Sequence, residues 1–195
     1  MARLRLYLAG PDVFRPDAVE QGTRLKALCA ENGVEGLYPL DGKGTDIRRR
    51  CIDMIDEADA LVANITPFRG VHMDPGTAFE IGYAEARGKR IFLWSDDTRM
   101  LAERVMPSPG NTDRDGDGHM IENFGKAENL MIVRDGARVW PTADGAIKEA
   151  AVALAYAAKN RQLQMTTRRS VFVAIAISLA VAVGAGWVVN HIVGW

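Results

Sequence analysis

The sequence predicts an α/β protein with a doubly wound, mainly parallel five-stranded sheet, helices on both faces in a flavodoxin/Rossmann-like arrangement, and one C-terminal transmembrane helix. Two observations predict it. Short apolar runs alternate with stretches of helical spacing from Leu4 to Lys159, the pattern of successive βαβ units. Beyond them, Val171 to Val189 reads VFVAIAISLAVAVGAGWVV without a charged residue. About 18 or more apolar residues in a row are long enough to cross a hydrocarbon core as a helix.

The elements follow in order. Leu4 to Ala9, LRLYLA, reads as a strand stopped by Gly10-Pro11-Asp12. Asp17 to Asn32 has helical spacing, with Val19, Leu25, Leu28 and Cys29 near one face and Gly33 closing it. Gly36 to Pro39 offers a short second strand, and a Gly-rich loop over Asp41 to Thr45 leads into a helix from Asp46 to Glu57. Ala60 to Ile65, ALVANI, predicts a buried strand, and a helix runs from about Thr77 to Arg87 with Gly88 at its end. Arg90 to Trp94 is a fourth strand. Residues 95–128 carry little pattern, Leu130 to Val133 reads as a fifth strand, and Arg138 to Trp140 extends the sheet. Ala143 to Lys159 is an Ala-rich helix. The chain thus divides into a domain over residues 1–159, a basic polar linker over 160–169 and a membrane anchor over 170–191. Arg168 and Arg169 before the apolar run predict that its leading end stays cytoplasmic, with Trp187 and Trp195 at the far interface. A buried core helix is the alternative reading of that run.

Composition narrows the function. Lys+Arg of 24 against Asp+Glu of 25 gives a formal charge of -1, which provides no electrostatic case for a nucleic-acid partner. Two cysteines, Cys29 and Cys51, make no disulfide framework and suit a reducing compartment. The opening residues do not read as a signal peptide, because the apolar run is short and a turn follows at once. Residues 113–118, DRDGDG, resemble half a calcium loop, but Phe124 stands where the bidentate Glu belongs. His72 and His119 give no zinc spacing, and the chain lacks both the P-loop and the G-x-G-x-x-G strings.

In a sheet of this kind ligands bind beyond the carboxyl ends of the strands, which assembles the loops near residues 10–17, 66–76 and 95–129 around one crevice. Asp74 and Glu80 fall in that neighbourhood, and a pair of carboxylates is the equipment of glycosidic chemistry. Glu80, in the first turn of its helix, is expected to be kept ionised by the positive end of the helix dipole, as a nucleophile requires. Asp74, outside the helix, is expected to carry the raised pKa of a proton donor. The competing reading is structural: Thr77-Ala78-Phe79-Glu80 is a T-x-x-E string, a capping box in which Glu80 reaches back to the Thr77 amide.

Four blocks, YLAGPDVF from Tyr7 to Phe14, ADALVANITPFRG, DPGTAFEIGYA and FGKAENLM from Phe124 to Met131, come in an order and spacing that resemble the nucleoside 2-deoxyribosyltransferase family, its trypanosomatid-type members above all. The resemblance implies that Glu80 attacks the deoxyribose C1′ to give a covalent deoxyribosyl-enzyme. It makes Asp74 the group that protonates the departing base and deprotonates the incoming one, and Tyr7 the hydrogen-bond donor that holds the nucleophile. Asn129 would reach the sugar hydroxyl from a neighbouring subunit, with Met131 beside it, and Gly10, Pro11, Asp12 and Phe14 would shape the base pocket. It implies a homo-oligomer acting on a deoxynucleoside and a free nucleobase, with no cofactor or metal. Tyr7 as a plain strand residue, Asn129 as a turn residue, Gly10-Pro11 as only a turn and Phe14 as core remain the structural alternatives.

One position departs from the pattern. Eight residues before Asp59, where related proteins often carry Asp or Asn touching the sugar, this chain has Cys51, a poor hydrogen-bond partner. Either Asp53 or another group substitutes, or affinity suffers. Two other functions stay in contention. One is a hydrolase of the same superfamily acting on deoxynucleoside 5′-monophosphates, which Arg15 favours and Asp12 and Asp17 oppose. The other is a membrane-tethered module that binds a nucleoside or nucleotide without chemistry.

Overall fold

The computed structural model describes residues 3–42 and 44–194, so the predicted interfacial Trp195 lies outside the described residues. Five strands, β1 (Arg5–Ala9), β2 (Glu35–Leu37), β3 (Ala60–Asn64), β4 (Arg90–Trp94) and β7 (Val139–Trp140), form one sheet in the order β2-β1-β3-β4-β7. Every pairing in it is parallel, with Tyr7 beside Leu37 on one side and Leu61 on the other. The order reverses between β1 and β3, which leaves a crevice at their carboxyl ends.

Strand alternation sends side chains to two cores. Leu6, Leu8, Val62 and Trp94 pack with Leu25 and Cys29 of α1 (Ala18–Glu31) and with Ala146 and Ile147 at the start of α5 (Ala143–Val193). Tyr7, Ala9, Leu61 and Ala63 face the other way, against Ile55 of α2 (Ile47–Glu57) and Ile81 and Ala84 of α3 (Pro75–Ala86). Burying a Leu or Ile fully is worth about 1.5–3 kcal/mol. Anchoring Ile81 and Ala84 therefore fixes the rotation of α3, and with it the direction of Glu80.

Local chemistry starts and stops these helices. Asp46 caps α2 by accepting from the Arg49 amide. Asp74 caps α3, Pro75 fills its first position, and Gly88 leaves its end with φ 69°. The expected start at Thr77 is therefore two residues late, because Asp74 and not Thr77 takes the cap.

Three further expectations change. Leu130 to Val133 is not a strand: the Ile132 and Val133 amides both turn back onto the Asn129 carbonyl, and β7 occupies the sheet position instead. Residues 95–128 are not featureless. They hold a short helix, α4 (Leu101–Arg104), and an antiparallel hairpin of β5 (Pro107–Ser108) and β6 (Asn111–Asp115), followed by a turn that Asp115 ties by accepting the Asp117 and His119 amides. The hairpin escaped the sequence because its residues are largely exposed and show no apolar alternation. Residues 160–169 are helical, part of α5, since Arg, Gln, Leu and Met are good helix formers whatever their polarity.

The chain forms two compact units, residues 1–154 and 155–195. In the second, Phe172, Ile175, Leu179 and Val183 stand exposed. Its best 18-residue window has a mean hydropathy of 2.1 and no buried share, so by length and composition this helix is able to cross a membrane.

Candidate active site

On the α2–α3 side of the sheet the centre is a short hydrogen bond. The Tyr7 hydroxyl donates to Glu80 Oε1 at 2.5 Å, linking the middle of β1 to the second turn of α3. Tyr7 is wholly buried. Burial and the facing Glu80 carboxylate push its phenol far up, so it acts as a donor at every working pH. Glu80 is only partly buried, and Oε2 makes no hydrogen bond among the described residues. Burial, opposed by the Tyr7 bond and helped by the nearby Asp74 charge, brings its carboxyl up to about 7.

This corrects the dipole argument. Because α3 begins at Pro75, Glu80 is its sixth residue, past the first turn where the helix end acts strongly. The capping-box alternative fails for the same reason: Glu80 reaches across to Tyr7 rather than back to Thr77. Asp74 fills the cap, with Oδ2 accepting from the Thr77 amide at 2.8 Å and the Thr77 hydroxyl at 3.1 Å. Its Oδ1 makes no hydrogen bond among the described residues. Asp74 also lines a hollow of about 430 Å³ walled by the loop from Phe68 to Pro75.

Cys51 stands beside the Tyr7 hydroxyl and close to Glu80, and burial pushes its thiol up. A protonated thiol here is a small apolar wall, not a nucleophile. Asp53, considered as its substitute, is paired with Arg49 on the exposed side of α2.

The loop after β1 behaves less uniformly than expected. Gly10 is required by close approach: a Cβ there would stand 2.7 Å from Asn64 Cβ and 2.8 Å from Asp12 Oδ2. Asp12 is buried, and both its oxygens are taken, Oδ1 by Gln21 Nε2 at 3.0 Å and Oδ2 by Asn64 Nδ2 at 2.8 Å. Its first role is thus to tie the β1 loop to β3 and α1. Phe14 is not core: it is 56% exposed and stacks on Phe68 at 5.4 Å, with the Arg69 guanidinium over both rings. Pro11 and Asp12 line a larger cleft of about 900 Å³ with Asn64, Thr66, Phe68 and Trp94. Glu80 lines neither that cleft nor the hollow at Asp74, so the single crevice expected from three loops is divided.

In the block from Phe124 to Met131, Asn129 donates Nδ2 to both oxygens of Glu122 and accepts the Met131 amide on Oδ1. Met131 is 73% exposed. Neither is hydrogen-bonded to the Tyr7–Glu80 pair among the described residues. His72, which looked isolated in the sequence, pairs with the buried Glu128 at 2.7 Å.

Comparison with known proteins decides the family. The profile of the family described as Nucleoside 2-deoxyribosyltransferase matches residues 6–131, which span Tyr7, Asp74, Glu80 and Asn129. The chain belongs to that family. As a deoxyribosyltransferase family member it is similar to a solved 2-desoxiribosyltransferase from Leishmania mexicana, with 38% identity, a TM-score of 0.67, and coverage of 76% of this chain and 97% of the other. It is also 38% identical over 113 residues to an uncharacterized protein of Schizosaccharomyces pombe, covering 51% of this chain. The chain spans about half the length of that curated relative, 54%.

Sequence reasoning missed several residues of this deoxyribosyltransferase fold's site region. Asn64 and Gln21 hold Asp12; the one available signal was a polar residue ending an otherwise apolar strand. Glu128 and Arg104 are buried together, yet both lie in the unpatterned stretch, where no periodicity marks burial.

Proposed function

We propose that the chain moves 2-deoxyribose between purine and pyrimidine bases by double displacement with retention at C1′. Glu80 Oε2 attacks C1′ as Asp74 gives a proton to the departing base, and the covalent deoxyribosyl-Glu80 ester is then opened by a second base that surrenders its proton to Asp74. The observation that carries the reading is the Tyr7–Glu80 bond: one oxygen is held by a phenol that stays protonated, and the other is left unbonded in a poorly hydrated position. Desolvation strips water from the attacking oxygen, and the phenol fixes its rotamer. The chemistry needs a nucleophile and a proton carrier, both of which are side chains of this chain.

An uncharged nucleoside suits the site better than a monophosphate. Arg15, the cation a phosphate would use in the first loop, is already bidentate to Asp17, with bonds of 2.8 and 3.0 Å. We further propose that Asn129 and Met131 serve a neighbouring subunit's site, that residues 1–159 form the catalytic domain, and that residues 170–191 anchor it to a membrane with the domain on the cytoplasmic side, residues 160–169 joining the two.

The test uses the full chain in detergent with thymidine and adenine. Deoxyadenosine should form, and an acid-quenched, proteolysed sample should carry one deoxyribosyl adduct on the peptide containing Glu80. Failure of every pairing of deoxynucleoside and base to give a new nucleoside overturns the transferase reading. Faster release of base from deoxyuridine monophosphate than from deoxyuridine would favour the hydrolase instead.

A further inference from the structure

Glu128 is 2% exposed, and a carboxylate so far from water is costly unless donors surround it. They do. Oε1 pairs with His72 Nδ1 at 2.7 Å and accepts the Asn129 amide at 3.0 Å, while Oε2 accepts the Met73 amide at 2.9 Å. On the far side Arg104, with a side chain 3% exposed, brings Nη2 to 3.5 Å from Oε2 and donates from the same nitrogen to the Ala127 carbonyl. Arg104 Nε and Nη1 have no partner among the described residues, so its charge is directed largely at this one carboxylate.

The donors come from separate stretches of chain. Met73 immediately precedes Asp74, the cap of α3; Asn129 immediately follows Glu128; Arg104 ends α4. A single buried anion thus ties the loop carrying the proposed acid to the segment carrying Asn129. We propose that Glu128 is a positioning residue for proton transfer, fixing the Met73–Asp74 peptide so that Asp74 keeps its cap on Thr77 and presents Oδ1 to the leaving base. This rests on the reading of Asp74 as the proton carrier. Glu128 does not touch the substrate; it acts through the backbone of residue 73. Glu128→Gln places an amide where several donors converge, so one of the amides or His72 loses its acceptor.

The experiment compares wild type, E128Q and D74N as full chains in detergent, with two donors: deoxyadenosine, whose base needs a proton to leave, and N7-methylated deoxyguanosine, whose cationic base leaves without one. E128Q should lower kcat for deoxyadenosine about 10- to 100-fold, the scale of a misplaced catalytic group, with KM little changed and the methylated donor nearly unaffected. D74N should show the same selectivity, more strongly. Equal losses on both donors in E128Q, with D74N selective, overturn the positioning role and leave the Asp74 reading intact. An unselective D74N overturns the Asp74 reading itself.

Amide exchange gives a readout independent of turnover. In E128Q the Met73 and Thr77 amides should exchange at least several-fold faster, while those of α1 stay unchanged. Unchanged exchange at Thr77 overturns the proposal. Should E128Q not fold, His72→Ala carries the same readouts from an exposed position, and unaltered Met73 and Thr77 exchange there overturns it equally.

Discussion

Two carboxylates near the carboxyl end of β1 have opposite fates. Asp12, on the cleft side, has each oxygen bonded by a buried amide, one from Gln21 and one from Asn64. Glu80, on the α2–α3 side, has one oxygen bonded by Tyr7 and the other by no group among the described residues. A buried acid whose two oxygens each accept from a fixed donor is a structural tie. A partly buried acid with one oxygen left unbonded holds interaction energy in reserve for another partner, and its burial lifts the carboxyl to about 7. The two acids differ in how completely their oxygens are bonded.

The largest effect expected from that contrast is on turnover. E80Q should abolish base exchange, by about 10⁴-fold or more in kcat, because a carboxamide cannot form the ester, whereas D12N should retain most of the chemical rate. A D12N enzyme as dead as E80Q would break the comparison. Next comes Tyr7→Phe. Removing the donor should cost about 10- to 100-fold in kcat and move the acid limb of the rate profile to higher pH, because the Tyr7 bond is what holds the Glu80 carboxyl down. Rates measured from pH 5 to pH 9 check both the size and the direction of that shift.

Stability effects are smaller and run the other way round. Asp12→Ala leaves two buried amides without acceptors and should cost about 2–4 kcal/mol in denaturant unfolding. Glu80 is the reverse case. Its folded pKa of about 7 lies above the 4.5 of the free carboxyl, so between those values the native state holds more protons than the unfolded one. Stability therefore falls as pH rises from 4.5 towards 7 and stays low above it. E80Q should be more stable than wild type by about 1–3 kcal/mol at pH 8, with the difference shrinking as pH falls towards 4.5. A wild type as stable as E80Q at pH 8 would show that the glutamate is better hydrated than its position implies.

Much of this was legible in the residues. Arg90 to Trp94 forms the predicted strand to the residue, and β1 and β3 lie within a residue of their expected bounds, because buried parallel strands need continuous apolar runs that nothing else in the chain imitates. The family was legible in four blocks whose order matters more than any one of them. Less legible were contacts made through space. Glu80 looked like a first-turn residue because T-x-x-E is a common helix start; the Asp74-Pro75 pair moved the start upstream and turned an expected dipole effect into a desolvation effect. Leu130 to Val133 had the apolar run of a strand, but its Ile132 and Val133 amides turn back onto the Asn129 carbonyl and β7 takes the place beside β4. The ties from Glu128 to His72 and Met73 join residues 56 and 55 apart, beyond any local pattern.

The amino-acid order by itself determined the alternation of strands and helices, the apolar C-terminal helix, and the presence of two acids six residues apart on either side of Pro75-Gly76. These are short-range matters of periodicity, caps and composition, decided over a dozen residues or fewer. The tertiary structure alone decided which acids are fully bonded and which keep an oxygen free. Whether a carboxylate is a tie or a nucleophile depends on which distant donors arrive at its oxygens and how much water is excluded, and both are set only when β1, α3 and the loops have packed against one another.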